Sequence, residues 1–371
     1  MQMFSIGNIL NRKNILKYVY LMLLLASITF FTLSYTISVN NINVASGPSY
    51  GIYVNGKVYF IAQNANELEV IQGNRVVSNY SLPYFLGADP FKVAYGDGKF
   101  FIAYQKGPVI VWSNGSVLAK YFLPHIGKYP DIIFADGYAV VTASSGNEVY
   151  FISSSGKIIN VSVMPFPQTL TYDNYTNVVY VGAYQSKLIY GISLSNFKIV
   201  YNFTINDTTI DTMTFVPPDA LAVATYEQQI ELINATTSKV IWAVSMPTTV
   251  SGAINGYSQI IYANGYLYVS IAHNGNQVAV ISKNGTLVDL LSVGSVSPSS
   301  PNGIVYDPSN GMIYVMDYSA NQISYLPAFS PTMPVKPHVS TTPLSTYYAI
   351  AGGAIAILVI VGVVVWLRRK K

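Results

Sequence analysis

The chain contains no cysteine at all. That excludes a disulfide framework, a thiolate metal centre and a cysteine nucleophile, so whatever folds here is held by its own core. Charge is nearly as scarce, at 10% of 371 residues against 51% hydrophobic. Few ion pairs can form, and few carboxylates are there to lose their role when protonated. There are three histidines, His125, His273 and His338, in distant regions and without metal-ligand spacing, and three tryptophans, Trp112, Trp242 and Trp366. No phosphate-binding loop, nucleophile elbow or dinucleotide fingerprint is present. No catalytic residue, cofactor site or metal site is assigned from the sequence.

What the chain has in excess is apolar sequence at its two ends. Tyr18–Val39 is almost uninterruptedly apolar and is preceded by Arg12, Lys13 and Lys17. This is the pattern of a signal peptide or an uncleaved signal anchor, taken as residues 1–34. Residues 347–367 carry no charge and are followed by Arg368, Arg369, Lys370 and Lys371. A 21-residue apolar stretch ending in four cations is expected to be a transmembrane helix with a cytoplasmic basic tail, 368–371. The polypeptide between the two segments is then expected outside the cell, on a single-pass chain, or a two-pass one if the first segment is retained. Removing the three cations at one flank and the four at the other leaves 13 Lys+Arg against 16 Asp+Glu, a net of −3 in place of the formal +4. The basic balance belongs to the membrane flanks, so a nucleic-acid partner is not expected.

Residues 327–346 hold five prolines with interleaved serine and threonine, which disfavours helix and strand and predicts an extended stalk. Between stalk and signal one pattern recurs: aromatic, polar turn with glycine, alternating strand. It reads "YVNGKVYF" at Tyr53–Phe60, "YGDGKFFI" at Tyr95–Ile102, "FADGYAVV" at Phe134–Val141, "YANGYLYV" at Tyr262–Val269 and "YDPSNGMIYV" at Tyr306–Val315, with degenerate copies at Tyr172 and Phe215. Each is a β-hairpin whose turn needs positive φ. The strand after the turn is expected to begin at Lys57, Lys99, Tyr138, Val178, Leu221, Tyr266 and Met312, at intervals of 42, 39, 40, 43, 45 and 46 residues. A third strand ("ELEVI", "PVIVW", "EVYFI" and so on) and a fourth ("RVVSNYSL", "VLAKYFL" and so on) complete six of the units. Four antiparallel strands per 40–45 residues define a β-propeller blade. The seventh unit lacks its fourth strand. An open ring would leave two bare edges, so Tyr35–Val44 is expected to supply the missing outer strand. The fold class is therefore all-β, a seven-bladed propeller over residues 35–326.

The run "PNGIVYDPSNGMIYVMDYSANQISYL", Pro301–Leu326, resembles the YVTN-type repeat, kin of the NHL propellers common in archaeal and bacterial surface proteins. The resemblance is specific in this blade and diluted in the others. It implies a propeller on a cell surface and no particular activity.

Eight Asn-x-Ser/Thr sequons, all in the segment expected outside, are candidate glycosylation sites: Asn79, Asn114, Asn160, Asn174, Asn202, Asn206, Asn234 and Asn284. Asn79, Asn160 and Asn202 fall on predicted outer strands; Asn114, Asn234 and Asn284 fall in the turn before one. "DPSNG" at Asp307–Gly311 resembles half a calcium loop and is read more simply as a turn capped by its own Asp. The loop between second and third strands carries an amide in every unit: Asn64, Gln105, Asn147, Gln185, Gln228, Asn276 and Asn321. Several have a tyrosine beside them: Tyr104, Tyr184, Tyr226 and Tyr318. Such a face can stack and hydrogen-bond sugars, or the amides can simply cap their own loops. The reading that results is a non-enzymatic, membrane-tethered, glycosylated surface module with a glycan or surface-protein partner and no cofactor. The alternative is an extracytoplasmic lyase or quinoprotein-like oxidoreductase; the latter lacks the tryptophan repeats of its family.

Overall fold

The computed structural model describes residues 37–205, 209–226, 229–246, 257–271, 276–294 and 300–330. The chain divides into Met1–Ile37 and Ser38–Lys371, and the fold is that of the second unit. The segments expected to be a signal or anchor, most of the stalk and the transmembrane helix lie outside the described residues. Among those described, no helix is long and apolar enough to cross a membrane.

Seven four-stranded antiparallel sheets follow one another along the chain. The first strands of the blades are Pro48–Val54, Pro90–Gly96, Ile132–Ala135, Pro167–Asp173, Ile210–Val216, Tyr257–Ala263 and Pro301–Asp307. Each packs against the first strand of the next blade, and the seventh against the first, so they form the inner ring. The second strands begin at Lys57, Lys99, Tyr138, Val178, Ala220, Tyr266 and Met312, a single residue from the expected start in the fifth blade and at the expected one elsewhere. Turn chemistry sets these starts. Asn55-Gly56, Asp97-Gly98, Asp136-Gly137 and Asn264-Gly265 all hold positive φ at both positions, the geometry whose twist matches that of the strands it joins. The longer turn of the seventh blade is capped by Asp307, whose carboxylate accepts hydrogen bonds from the Ser309 amide and hydroxyl.

Second and third strands are almost wholly buried, as at Val178–Ala183 and Tyr266–Ile271. Outer strands alternate exposed and half-buried positions, as at Ser116–Tyr121. The core therefore lies between blade faces. One cluster joins Val216, Leu232, Leu267 and Ile281 across the fifth and sixth blades; another joins Val140, Phe151, Val179 and Val181 across the third and fourth.

The ring closes where the sequence leaves it short of a strand. Asn40–Asn43 pairs antiparallel with Gln322–Pro327 as the fourth strand of the last blade, with Ile42 opposite Ile323. Ile42 is buried against Val58, Phe60 and Met316, reaching both the last blade and the first. Asn41 accepts the Ser324 hydroxyl at 2.7 Å and Asn43 the Gln322 amide at 3.0 Å. The Ala45 N–H then meets the Glu69 carboxylate at 3.1 Å. Inner strands are tight at this seam: a Cβ on Gly303 would fall 2.3 Å from the Ser49 carbonyl. At the other end of the chain, the Ala328 amide donates to Gly311 O and the Phe329 amide to the Tyr268 hydroxyl. The last described residues thus leave from the side of the inner hairpin turns.

Candidate functional site: a funnel at the mouth of the ring

Two cavities share the propeller axis. The first is the central channel, about 460 Å³, lined by all seven inner strands. Aromatics crowd its hairpin-turn end, including Tyr53, Tyr95, Phe134, Tyr172, Tyr262 and Tyr306. The charged lining residues are Lys92 and Asp131, and they form the one ion pair among the described residues, at 2.9 Å. Asp131 reaches both neighbouring blades: Oδ1 takes Lys92 from the second and Oδ2 takes the Leu170 N–H from the fourth. Elsewhere the blades are stapled by neutral groups. Ser49 Oγ donates to Phe91 O, Thr169 and Thr171 accept from the Met213 and Phe215 amides, and Gln259 Oε1 accepts from Ile304. These polar side chains on otherwise apolar strands are structural. They give buried backbone N–H and C=O groups partners across the blade gap.

The second cavity, about 540 Å³, is the open funnel at the start of the inner strands, opposite the hairpin turns. Two positions in the blade build it. The first residues of the inner strands supply Tyr50, Phe91, Gln168, Asp211 and Asn302. The residue just past the end of the second strand supplies Gln63, Gln105, Tyr184, Tyr226 and Tyr318. Lys128, Tyr129, Ser258 and Ser300 complete the lining. Tyr50 and Phe91 meet edge to face at 5.0 Å, with the Phe91 ring 6.1 Å from that of Tyr129. Lys92 Nζ lies 4.3 Å from the Tyr50 ring centroid, a cation–π contact beneath the funnel floor. Burial pushes the Tyr50 hydroxyl above its ordinary pKa, partly offset by Lys92. For Lys92 burial acts downward, but Asp131 and Tyr50 outweigh it and the ammonium is held above its usual range. The floor is thus a fixed cation under an aromatic ring.

Around the rim, the Gln63 amide donates to Gln105 Oε1 at 3.4 Å, and the Tyr318 hydroxyl donates to Asn64 Oδ1 at 2.8 Å. The lining is mostly aromatic faces and neutral amides or hydroxyls, with Lys128 and Asp211 as its charges. Such a surface suits a ligand with rings and many neutral hydrogen-bonding groups. Among the described residues no group of three His, Asp or Glu is placed to hold a metal ion.

The residues of the sequence-derived face take different places in the structure. Gln105, Tyr184, Tyr226 and Tyr318 line the funnel. Asn64 touches it through Tyr318. Asn147, Gln185, Asn276 and Asn321 are not in its lining; Gln185, Asn276 and Asn321 hold positive φ of 58°, 47° and 53°, and Asn321 Oδ1 caps the Gly47 N–H. Asn147 offers its carbonyl to Val163. Gln185, Asn276 and Asn321 thus serve turn geometry. Tyr104 is a core residue, 0% exposed, its hydroxyl donating to Pro83 O. It is the last residue of its strand, and a ring there points into the blade. Gln228 and His273 lie outside the described residues. The signal that locates the funnel is position relative to the strand end, which also brings in Gln63; the inner-strand residues carry no comparable mark in the sequence.

Of the sequons, Asn79, Asn114, Asn160, Asn174, Asn202 and Asn284 are exposed. Asn234 is half-buried with its amide fully used: Oδ1 accepts from Thr236 and Thr237, and Nδ2 donates to Asp219 at 2.8 Å. Asn206 lies outside the described residues.

Fold and funnel define a seven-bladed β-propeller with an open axial funnel. Among solved structures it is similar to virginiamycin B lyase from Staphylococcus aureus, at TM-score 0.69 and 19% identity over 79% of this chain and 100% of that one. The same enzyme in a catalytically inactive histidine-to-alanine form, with quinupristin, matches equally. The Raptor protein of Chaetomium thermophilum matches at TM-score 0.66 and 14% identity, over 79% of this chain and 29% of that one. At these identities the likeness is one of fold. No protein-family model matches the chain, and no curated protein matches its sequence.

Proposed function

We propose that the protein is a non-enzymatic surface module whose funnel binds a neutral carbohydrate, held out from the membrane by a C-terminal helix and the Pro-rich stalk. The observation that carries this reading is the funnel lining, which combines tyrosine and phenylalanine rings with glutamine, asparagine and serine. Aromatic faces stack on sugar rings while amides fix hydroxyl positions. The direction of the chain supports it. Residues Ala328–Ser330 leave beside the inner hairpin turns, so a stalk continuing from there would present the funnel outward. Sequons on exposed outer strands fit the same setting, since glycans there would block edge pairing between molecules. A glycan array probed with residues 37–330 tests the proposal. Binding to neutral glycans that Tyr226→Ala weakens is the expected result; no binding to any arrayed sugar would sink it.

A second reading is a lyase. It is favoured by the fold shared with streptogramin B lyases, and its candidate base is His273. Consumption of quinupristin by the purified chain, lost in His273→Ala, would establish it in place of the first reading.

A further inference from the structure

A second aromatic cleft opens on the hairpin-turn face between the first and second blades, on the side opposite the funnel, with a volume of about 240 Å³. Its walls include Tyr59, Tyr80, Tyr95, Phe100 and Trp112. The rings form one cluster: Tyr59 and Phe100 centroids are 4.6 Å apart, and Tyr80 meets Trp112 edge to face at 5.0 Å. Tyr80 is 36% exposed, so part of its face is open to solvent. On the rim of this cleft stands Asn114, the first residue of the sequon Asn114-Gly115-Ser116.

Three features suit this asparagine to the cleft. It occupies a two-residue hairpin turn with Gly115, at φ of 48° and 81°, which lifts its side chain off the sheet. Its amide makes no hydrogen bond among the described residues and is free to carry a substituent, whereas the sequon amides of Asn79, Asn160 and Asn234 donate to Glu67, Glu148 and Asp219. And it follows Trp112 by two residues, so a group attached to its Nδ2 starts at the mouth of an aromatic pocket. A volume of this size is smaller than a drug-sized pocket and suits one sugar ring. The apolar face of a pyranose against an aromatic ring would bury surface that the free protein leaves wet.

We infer that Asn114 carries an N-linked glycan whose first sugar folds back into this cleft, against Tyr80. The glycan then serves as part of the packing between two blades. The inference rests on the export proposed above, and the experiment separates the two. The full chain is purified from its producing cells and its glycopeptides are read by mass spectrometry, with protease accessibility on intact cells measured in parallel. A sugar mass on Asn114 and none on Asn234 is expected. Other sequons modified and Asn114 bare overturns the inference while sparing export; an unmodified chain that protease cannot reach overturns both. For the cleft itself, Tm is compared in four forms. Asn114→Gln is expected to lower Tm by several degrees in the otherwise unchanged chain and to shift it by nothing in a Tyr80→Ala background. Equal shifts in the two backgrounds overturn the packing of sugar on Tyr80.

Discussion

Tyr318 donates its hydroxyl to Asn64 Oδ1 at 2.8 Å, linking residues 254 positions apart in the chain. One belongs to the last blade and the other to the first, so the bond crosses the seam at which the ring closes. Tyr318 also lines the funnel. Closure and funnel therefore share a residue, and the seam reads as part of the funnel's scaffold. Removing the bond by Tyr318→Phe should cost about 1 kcal/mol, and Asn64→Ala a similar amount. Because both delete the same contact, the double variant should cost little more than either alone. Urea titrations of the four forms measure this; strictly additive losses would show that the two side chains act separately.

The closing strand is short but buried where it counts. Ile42 contacts the cores of two blades at once, so Ile42→Ala should cost about 2–5 kcal/mol, the range for a buried isoleucine truncated to alanine. Deleting residues 37–44 should do more, exposing the edge of Gln322–Pro327 and promoting association between molecules. An unchanged Tm with a monomeric elution profile for that deletion would mean that closure does not depend on this strand.

Lys92 and Asp131 tie the second blade to the third, and Asp131 ties both to the fourth. Lys92→Met leaves a buried carboxylate without its cation and should destabilise by about 3–5 kcal/mol. Adding Asp131→Asn removes the stranded charge and keeps an acceptor for the Leu170 amide. The double variant should therefore be more stable than Lys92→Met alone, by an amount that chemical denaturation resolves. A double variant no better than the single would place the cost in lost packing of the lysine stem.

The architecture was legible in the sequence because blade formation depends on local chemistry repeated seven times. Asn-Gly and Asp-Gly turns fix where second strands begin, and alternation fixes which face of each strand is buried. The absence of a fourth strand after Leu326 pointed to Tyr35–Val44 through the cost of a bare edge alone, and the strand that forms there is Asn40–Asn43. The funnel was only half legible. Tyr184, Tyr226 and Tyr318 sit just past a strand end and could be found by counting. Tyr104 is one residue earlier, and that one step turns it into the core, since the side-chain period of a strand is two. Tyr50, Phe91 and Asp211 come together because inner strands of different blades converge on the axis, which no local pattern encodes. Gln185, Asn276 and Asn321 share their residue type with funnel amides but answer to turn geometry instead.

Two glutamates predict an unusual acid response. Burial raises the pKa of Glu69, which accepts the Ala45 N–H, above the ordinary carboxylate value. Its protonated form is the one favoured by folding, so its effect is to increase stability as pH falls through the window between its raised value and the ordinary one. Glu148 is lowered, first by the Tyr150 hydroxyl and then by the Asn160 amide. Its contribution is present above the ordinary value and is lost as pH falls through the depressed one. The two act on opposite sides of about 4.3, the usual glutamate value. Tm should hold level or rise between pH 7 and that point, then decline below it, and Glu69→Gln should remove the rise. A steady fall of Tm from pH 7 downward would contradict this assignment.

The funnel and the core make different demands on tyrosine, and Tyr226 and Tyr104 test the distinction within one strand position. Tyr226 is 39% exposed at the funnel rim, whereas Tyr104 is 0% exposed and packs edge to face on Phe85 at 5.0 Å. Tyr226→Ala removes a ring that the fold does not bury, so stability should change by no more than about 0.5 kcal/mol. If that ring stacks on a sugar, affinity should fall by about 0.5–1.5 kcal/mol, roughly two- to twelvefold in Kd. Tyr104→Ala should behave in the opposite sense, opening a cavity between the first and second blades at a cost of about 3–5 kcal/mol. Tyr104→Phe, which keeps the ring and strips only the bond to Pro83 O, should recover most of it. Calorimetry on each variant gives stability, and titration with the glycan selected on the array gives affinity. A Tyr226→Ala protein that binds as tightly as the parent would remove tyrosine stacking from the site, and with it the main reason for assigning a carbohydrate to this funnel.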